Sequence, residues 1–229
     1  MLLRQFRIWR CSRVATSLLL VLYCGRAFAS TDPVVIGRFM SAVAQGQQRT
    51  IRQDVRARPQ LLSDLSRTGK TALQLAIENR HLVTVRALLK FGADPDQSAQ
   101  GKLRPIHLAV ISSQLHVLHL LLREGVTLEA RDAHGTTALM YAVRQDNELL
   151  AKTLLRAGAR VDGLVPGNWS PLMQAALQGS QGMVSLLLQY GAFRERISVY
   201  GMTAAQAAEK KGFQKLARLL RPDQGAVRE

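Results

Sequence analysis

Apolar residues recur along the chain at a fixed interval of 33 positions. Alanine holds one place in each period, at Ala76, Ala109, Ala142, Ala175 and Ala208. Leucine holds another, at Leu88, Leu121, Leu154, Leu187 and Leu220. Glycine keeps the same interval, at Gly92, Gly125, Gly158 and Gly191. Three residue types that share one register indicate an internal repeat whose units have the same local structure.

Each period predicts two short helices joined by turns. The first helix begins after a hydroxyl residue that can cap free N–H groups, at Thr71, Thr137, Ser170 and Thr203. In the remaining repeat Arg104 holds this place, so we expect that helix to begin less firmly. In the second helix, leucines follow the i, i+3, i+4 spacing of one buried face, and a glycine then ends the helix. Helices of about eight to ten residues are unstable alone, so neighbouring repeats must stack.

The repeated segments carry a known motif. One copy reads KLRPIHLA at 102–109, close to the pattern T-P-L-H-x-A, and the second helices end in L-L-x-x-G-A. With the period of 33 residues, these motifs resemble ankyrin repeats. The resemblance implies an all-α fold, in which helix–turn–helix units stack into a solenoid.

The register also divides the chain into units. The ankyrin repeat domain is expected to span 34–221, with a tail at 222–229. An N-terminal cap, four full repeats and a C-terminal cap follow one another at 34–65, 66–98, 99–131, 132–164, 165–197 and 198–221. The caps depart from the motif because one face of an end unit meets water.

The first 29 residues have the pattern of a secretory signal peptide. Four arginines precede a short apolar stretch at 14–23, and Ala27-Phe28-Ala29 supplies the small residues of a cleavage site. We expect cleavage after Ala29 and export, with the periplasm of a bacterium as the destination. The alternative is an uncleaved segment that tethers the protein to the membrane, although this stretch is shorter than the ~20 residues that span hydrocarbon as a helix.

Composition and charge limit the possible functions. Apolar residues make up 47% of the chain, which excludes a wholly disordered protein. The 31 basic and 16 acidic residues give a net charge of +15, and removal of residues 1–29 with their five arginines leaves +10. Both cysteines, Cys11 and Cys24, lie in that segment, so the mature chain has no thiolate for a metal site.

Motifs for catalysis or cofactor binding are weak in this sequence. Gly69-Lys70-Thr71 matches the end of a phosphate-binding loop, but Asp64 stands where that loop needs a glycine. The segment 179–182 lacks the G-x-S-x-G arrangement of a serine hydrolase. We therefore expect no enzymatic activity and no cofactor. A hydrolase whose site is not visible in the sequence would instead require a compact polar pocket that contains a residue with a strongly shifted pKa.

The five histidines do not predict a metal centre. The resemblance implies that His107 bonds one turn to the next, and His81 fits the start of a second helix. His116 and His119 are three residues apart and could share a metal, but no third ligand is placed beside them, so we expect a solvated face. His134 lies on a turn and is open to partner contact.

The resemblance places partner contacts on the turns and first helices, which form a concave groove in the family. The positions read from this sequence are Arg131, His134, Tyr141, Arg144, Trp169, Gln174, Gln178 and Tyr200. Trp169 and Tyr200 come from neighbouring turns and are expected to lie side by side, although Trp169 could instead merely cover the next turn. Aromatic residues and arginines are the usual anchors of protein interfaces.

These patterns predict a monomeric, non-catalytic scaffold that binds a protein partner in the cell envelope. The chain resembles exported bacterial ankyrin proteins, some of which are associated with oxidative-stress defence or with neutralising toxins. The arginines are scattered along the sequence, and the densest run, at 49–58, contains Asp54, so nucleic acid is not expected as a partner. The alternative is a basic protein that attaches to anionic membrane or polysaccharide surfaces, an attachment that salt would weaken.

Overall fold

The computed structural model describes residues 32–98, 103–163 and 165–221. The chain divides into two units, Met1–Asp32 and Pro33–Glu229, and every helix described here belongs to the second. The expected signal peptide at 1–29 and the expected tail at 222–229 lie outside the described residues.

Twelve α-helices in six consecutive pairs make up the described part of the second unit. The first helices of the pairs are α1 Pro33–Ala44, α3 Ala72–Glu78, α5 Pro105–Ile111, α7 Ala138–Arg144, α9 Pro171–Gln178 and α11 Ala204–Lys210. The second helices are α2 Gln48–Ala57, α4 Leu82–Lys90, α6 Leu115–Arg123, α8 Glu148–Arg156, α10 Gln181–Gln189 and α12 Gln214–Leu220. A 3-10 turn, Pro59–Leu62, follows α2.

The alanines and leucines of the 33-residue register lie in the core. The five register alanines and the five register leucines are all buried, and they join one continuous apolar cluster with residues of the two end units. Each first helix packs on the first helix of the next repeat, where alanine allows close approach. The expectation of an all-α repeat solenoid is therefore confirmed.

Hydroxyl caps begin the first helices as the sequence predicts. The side-chain oxygens of Thr71, Thr137, Ser170 and Thr203 each accept the backbone N–H three residues later, at 3.2–3.4 Å. At Arg104 the backbone has the same extended conformation as at Thr71, with φ −77° and ψ 161° at both residues. There Nδ1 of His107 accepts the Arg104 N–H at 3.1 Å, so the reverse half of the capping interaction is kept.

Side chains also join each repeat to its neighbour. A residue near the start of one repeat's second helix, or at the end of its first, donates to a carbonyl of the preceding repeat. The donors and acceptors are His81 Nε2 to Ala44, Gln114 Nε2 to Ile77, Gln145 Nε2 to Ile111 and Gln178 Nε2 to Arg144, at 2.7–2.9 Å. These bonds satisfy carbonyls at the C-terminal ends of the preceding first helices and fix adjacent repeats in one register.

Carboxylates make a second set of bonds between repeats. Asp96 accepts the N–H of Thr127 at 3.0 Å, and Glu129 accepts the N–H of Arg160 at 2.8 Å. Asp162 accepts the N–H of Phe193 at 3.3 Å in the next interval. Since these bonds recur from repeat to repeat, successive turns are held at the same position relative to each other.

Candidate partner-binding site

A cleft of about 430 Å³ lies between the first helices and turns of three repeats. We call it the Tyr141 cleft. Its lining residues are Lys70, Gln74, Glu78, Leu103, Leu108, Asp132, Ala133, His134 and Tyr141. Lys70 and Glu78, which belong to the same repeat, form an ion pair at 2.7 Å. The cleft therefore has apolar walls and contains polar groups that are already paired with each other.

Asp132 and Tyr141 form the polar centre of this cleft. The Tyr141 hydroxyl donates to Oδ2 of Asp132 at 2.6 Å, and Oδ1 accepts the backbone N–H groups of His134 and Thr136, both at 2.8 Å. Burial alone would raise the pKa of Asp132, but the hydrogen bonds from Tyr141 and the two N–H groups outweigh it and lower the pKa.

Burial and the same hydrogen bond keep Tyr141 protonated. Burial, followed by the hydrogen bond to the Asp132 carboxylate, raises the pKa of Tyr141 to about 12. The phenol therefore stays protonated at neutral pH and acts as a fixed hydrogen-bond donor. A tyrosine in this state is not an activated nucleophile or base.

His107 lies beneath Tyr141 and holds two turns together. Its ring contacts the Tyr141 ring edge to face, with centroids 5.9 Å apart. The ring's Nε2–H donates to the carbonyl of Ala130 at 3.0 Å, while Nδ1 accepts the N–H of Arg104. This is the turn-to-turn role that the family resemblance implies. Burial is the main reason that the pKa of His107 is lowered.

We expect His107 to make the fold less stable in mild acid. Its pKa is lower in the folded chain than in the unfolded chain, so the unfolded state takes up a proton first as pH falls below about 6.5. The stabilisation is complete above that pH and is lost below it, with a slope of at most about 1.4 kcal/mol per pH unit. Urea unfolding measured between about pH 7.5 and 5 should show this slope.

The matched variant is His107→Gln. Gln74 holds the equivalent place one repeat earlier, where it accepts the N–H of Thr71 at 2.9 Å and donates to the carbonyl of Leu103 at 2.7 Å. Glutamine should therefore keep the bond that accepts the Arg104 N–H and remove the titration, while its donor bond moves from Ala130 to Thr136, the equivalent of Leu103. An equal pH slope for the variant and the wild type would show that His107 is not the responsible group.

The predicted partner residues do not form one continuous site but lie in several parts of the surface. Tyr141 and His134 line the cleft. Arg131 is exposed, and its Nη1 donates to the carbonyl of Gly135 at 2.9 Å, across its own turn. Gln178 donates to the backbone carbonyl of Arg144, so these two residues lie together at the ends of α9 and α7. Gln178 thus has an internal bonding role that the sequence did not predict.

Trp169 and Tyr200 lie on adjoining turns. The Nε1–H of Trp169 donates to Oε1 of Gln174 at 3.1 Å, and its half-buried ring packs against the core. Gly167 in the same tight turn has φ +85° and passes beneath the next turn. The Gly167 carbonyl accepts the N–H of Val199 at 3.0 Å. The two turns are so close that a Cβ on residue 167 would lie 3.7 Å from Cε2 of Tyr200.

Exposed apolar residues surround Tyr200. Ile197, Val199 and Tyr200 are 58%, 63% and 76% exposed, and we call them the Tyr200 patch. Ser198 between them is buried; its N–H donates to the carbonyl of Met202, and its hydroxyl accepts the N–H of Met202. Ile197 and Val199 were not among the residues predicted from the sequence. Apolar side chains on both sides of a small turn residue were the signal for them.

The cleft also contains residues that the sequence analysis did not select. They are Lys70, Gln74, Glu78, Leu103, Leu108, Asp132 and Ala133. Asp132 carried a local signal, because Asp132 to Gly135 is a polar turn that ends shortly before the helix of Tyr141. The remaining residues come from neighbouring repeats, and only the stacking brings them to one place.

Metal and membrane features can be stated for the described ranges alone. Within them, no group of three or more histidine, cysteine or acidic residues could hold a metal ion. His116 and His119 are exposed on α6, in agreement with the solvated face expected for them. Over the same residues, no helix has the length and apolar character needed to cross a membrane.

Comparison with known proteins assigns the chain to a family. A family model described as three copies of the ankyrin repeat matches residues 39–132 and 92–164, and a single-repeat model matches 167–195. The ankyrin repeat protein YahD of Escherichia coli is 28% identical over 165 residues, which cover 69% of this chain and 82% of YahD.

Two larger relatives match over a smaller share of their length. The human transient receptor potential cation channel subfamily A member 1 is 27% identical over 152 residues. The glycerophosphocholine phosphodiesterase gde1 of Schizosaccharomyces pombe is 31% identical over 156 residues. Each match covers 66% of this chain but 14% of the relative. The chain belongs to the ankyrin repeat family, whose repeats are generally protein–protein interaction modules.

Proposed function

We propose that this protein is a non-catalytic scaffold that binds a partner protein through its turns and first helices. The observation that carries the proposal is the Tyr200 patch, where three apolar residues are exposed on a turn. Other apolar side chains, such as Val83 and Leu149, are exposed on second helices, whereas these three lie within four consecutive positions of one turn. Exposed apolar side chains grouped on a fixed platform are typical of interaction sites.

The Tyr141 cleft supplies a second contact region on the same set of elements. Its carboxylate and phenol are bonded to each other, and Lys70 is bonded to Glu78. A partner therefore meets polar groups that are already hydrogen-bonded, with the charge of Lys70 balanced by Glu78, beside the apolar walls of Leu103 and Leu108. This combination suits an apolar side chain of the partner protein better than a charged one.

The cleft also favours binding over catalysis. The raised pKa of Tyr141 and the lowered pKa of Asp132 hold both groups in their ordinary charge states at neutral pH. General acid–base chemistry requires the opposite, a pKa shifted toward the working pH. We therefore propose no reaction and no cofactor for this site.

The proposal includes a place of action. The N-terminal pattern of arginines, apolar residues and Ala27-Phe28-Ala29 supports export, and we propose that the mature protein begins at Ser30 and acts as a monomer in the bacterial periplasm. A tether formed by an uncleaved N-terminus is the alternative location.

One recovery experiment tests both parts of the proposal. The full chain with a C-terminal tag would be expressed in its own host and isolated from the envelope fraction. We expect its N-terminus to be Ser30 and a partner protein to remain bound as salt rises from about 50 to 300 mM. An N-terminus at Met1 would contradict cleavage, and complete loss of the partner at the higher salt would favour attachment through charge alone.

A further inference from the structure

Basic residues on four successive second helices occupy the same two positions. These are the fifth and ninth residues of each helix. The fifth positions hold Arg52, Arg86, His119 and Lys152, and the ninth hold Arg56, Lys90, Arg123 and Arg156. All eight side chains are exposed. We call this set the outer basic strip; it ends at α10, where Ser185 and Gln189 hold the two positions.

Stacking of the repeats brings the strip positions of neighbouring second helices together, and the contact between α4 and α6 shows this directly. Residues four apart lie about 6 Å from each other on one helix face, and packed helices lie about 8–10 Å apart. The strip is therefore about 6 Å wide and, over four helices, about 30 Å long. Arg86 on α4 and His119 and Arg123 on α6 line one cleft of about 370 Å³, together with His116 and Leu120.

The four helices α2, α4, α6 and α8 carry eight arginines and lysines but two acids, Asp54 and Glu148. Asp54, on α2, is 2.9 Å from Arg38 of α1. The ion pairs of Lys70, Arg104 and Arg221 likewise involve no residue of the strip. Seven of the eight positions hold arginine or lysine, so the strip is a row of positive charges that an anion would complement.

Helix stability explains only part of this pattern. A base in the last turn interacts favourably with the helix dipole, worth about 0.3–1 kcal/mol, and this accounts for the ninth positions. It does not account for the fifth positions, which lie in the middle of each helix. The arginines that are scattered along the sequence are therefore gathered by the repeat register into one surface.

We propose that the outer basic strip binds an extended anionic polysaccharide, whose acidic groups follow the row across α2, α4, α6 and α8. Its narrow, linear outline fits a single charged chain, and its charge is complementary. The eight positions include no phenylalanine, tyrosine or tryptophan, so the strip lacks the stacking platform of single-stranded nucleic acid binders. Binding in a bilayer interface requires a broad apolar face, whereas Val83 and Leu149 are isolated apolar residues beside the strip.

This site is separate from the proposed partner site. The strip lies on the second helices, whereas the Tyr141 cleft and the Tyr200 patch lie on first helices and turns. Both surfaces can therefore be occupied in one molecule. The scaffold would then hold its protein partner at an anionic polymer of the envelope.

The test uses heparin oligosaccharide as the polyanion and compares two variants of the full chain. The strip variant carries Arg86→Gln, Arg123→Gln and Lys152→Gln. The control variant carries Lys210→Gln, Lys211→Gln and Lys215→Gln, three equally exposed bases of the C-terminal cap, and has the same net charge. By calorimetry at about 50 mM salt, we expect the strip variant to bind about tenfold more weakly and the control to change less than about twofold.

Each other outcome would overturn the proposal. Equal losses in the two variants would mean that net charge alone drives binding. No binding of heparin by the wild type would remove the site. Tighter binding to single-stranded DNA or to vesicles of anionic phospholipid than to heparin would assign a different occupant. Partner capture measured on the strip variant should remain unchanged, which separates this site from the proposed function.

Discussion

Replacing Val199 and Tyr200 together by serine is expected to reduce partner capture by more than about tenfold. Exposed apolar and aromatic anchors each contribute about 1–2 kcal/mol to an interface, and about 1.4 kcal/mol corresponds to a factor of ten in affinity. The fold should be preserved, because both side chains are exposed and the hydrogen bond of Val199 to Gly167 is made by its backbone N–H. The measurement is titration of the recovered partner against each variant.

A matched control is available on the second helices. Val83 on α4 is 63% exposed, the same fraction as Val199. The substitution Val83→Ser removes the same apolar group outside the turns and should leave capture unchanged. If Val199→Ser/Tyr200→Ser captures the partner as well as the wild type does, the Tyr200 patch is not an anchor.

Trp169 is a less suitable probe than its sequence position suggests. Its indole N–H is bonded to Gln174 and its ring packs on the core, so truncation would change stability together with binding. The sequence placed Trp169 and Tyr200 on neighbouring turns, and the structure shows that these turns are in contact. The indole–amide bond depends on side-chain conformation, which the repeat register does not specify.

The periodic part of the fold could be predicted because the same local interactions begin, bury and end the helices of each repeat. The register leucines, the hydroxyl caps and the terminating glycines act over a few residues, so their spacing is visible in the sequence. At Arg104 this reasoning was incomplete, because a cap can also be supplied from the other side, here by His107.

The candidate site was harder to predict because it depends on stacking. Lys70 and Asp132 are 62 positions apart in the numbering and line one cleft only when three repeats are placed together. The outer basic strip has the same origin, since its bases come from four helices that are separated in sequence. The sequence therefore indicated the type of surface, while the structure was needed to show which residues share it.

The most direct measurement of the central claim compares two leucines on α8. Leu154 is in the 33-residue register and fully buried, whereas Leu149 is 58% exposed. The same substitution, leucine to alanine, changes helix propensity by a similar amount at both sites. Urea unfolding should show a loss of about 2–5 kcal/mol for Leu154→Ala, because a buried leucine leaves a cavity. The free energy of unfolding of Leu149→Ala should lie within about 0.5 kcal/mol of the wild-type value. Equal and small losses for both variants would contradict stacking of the repeats through their register leucines.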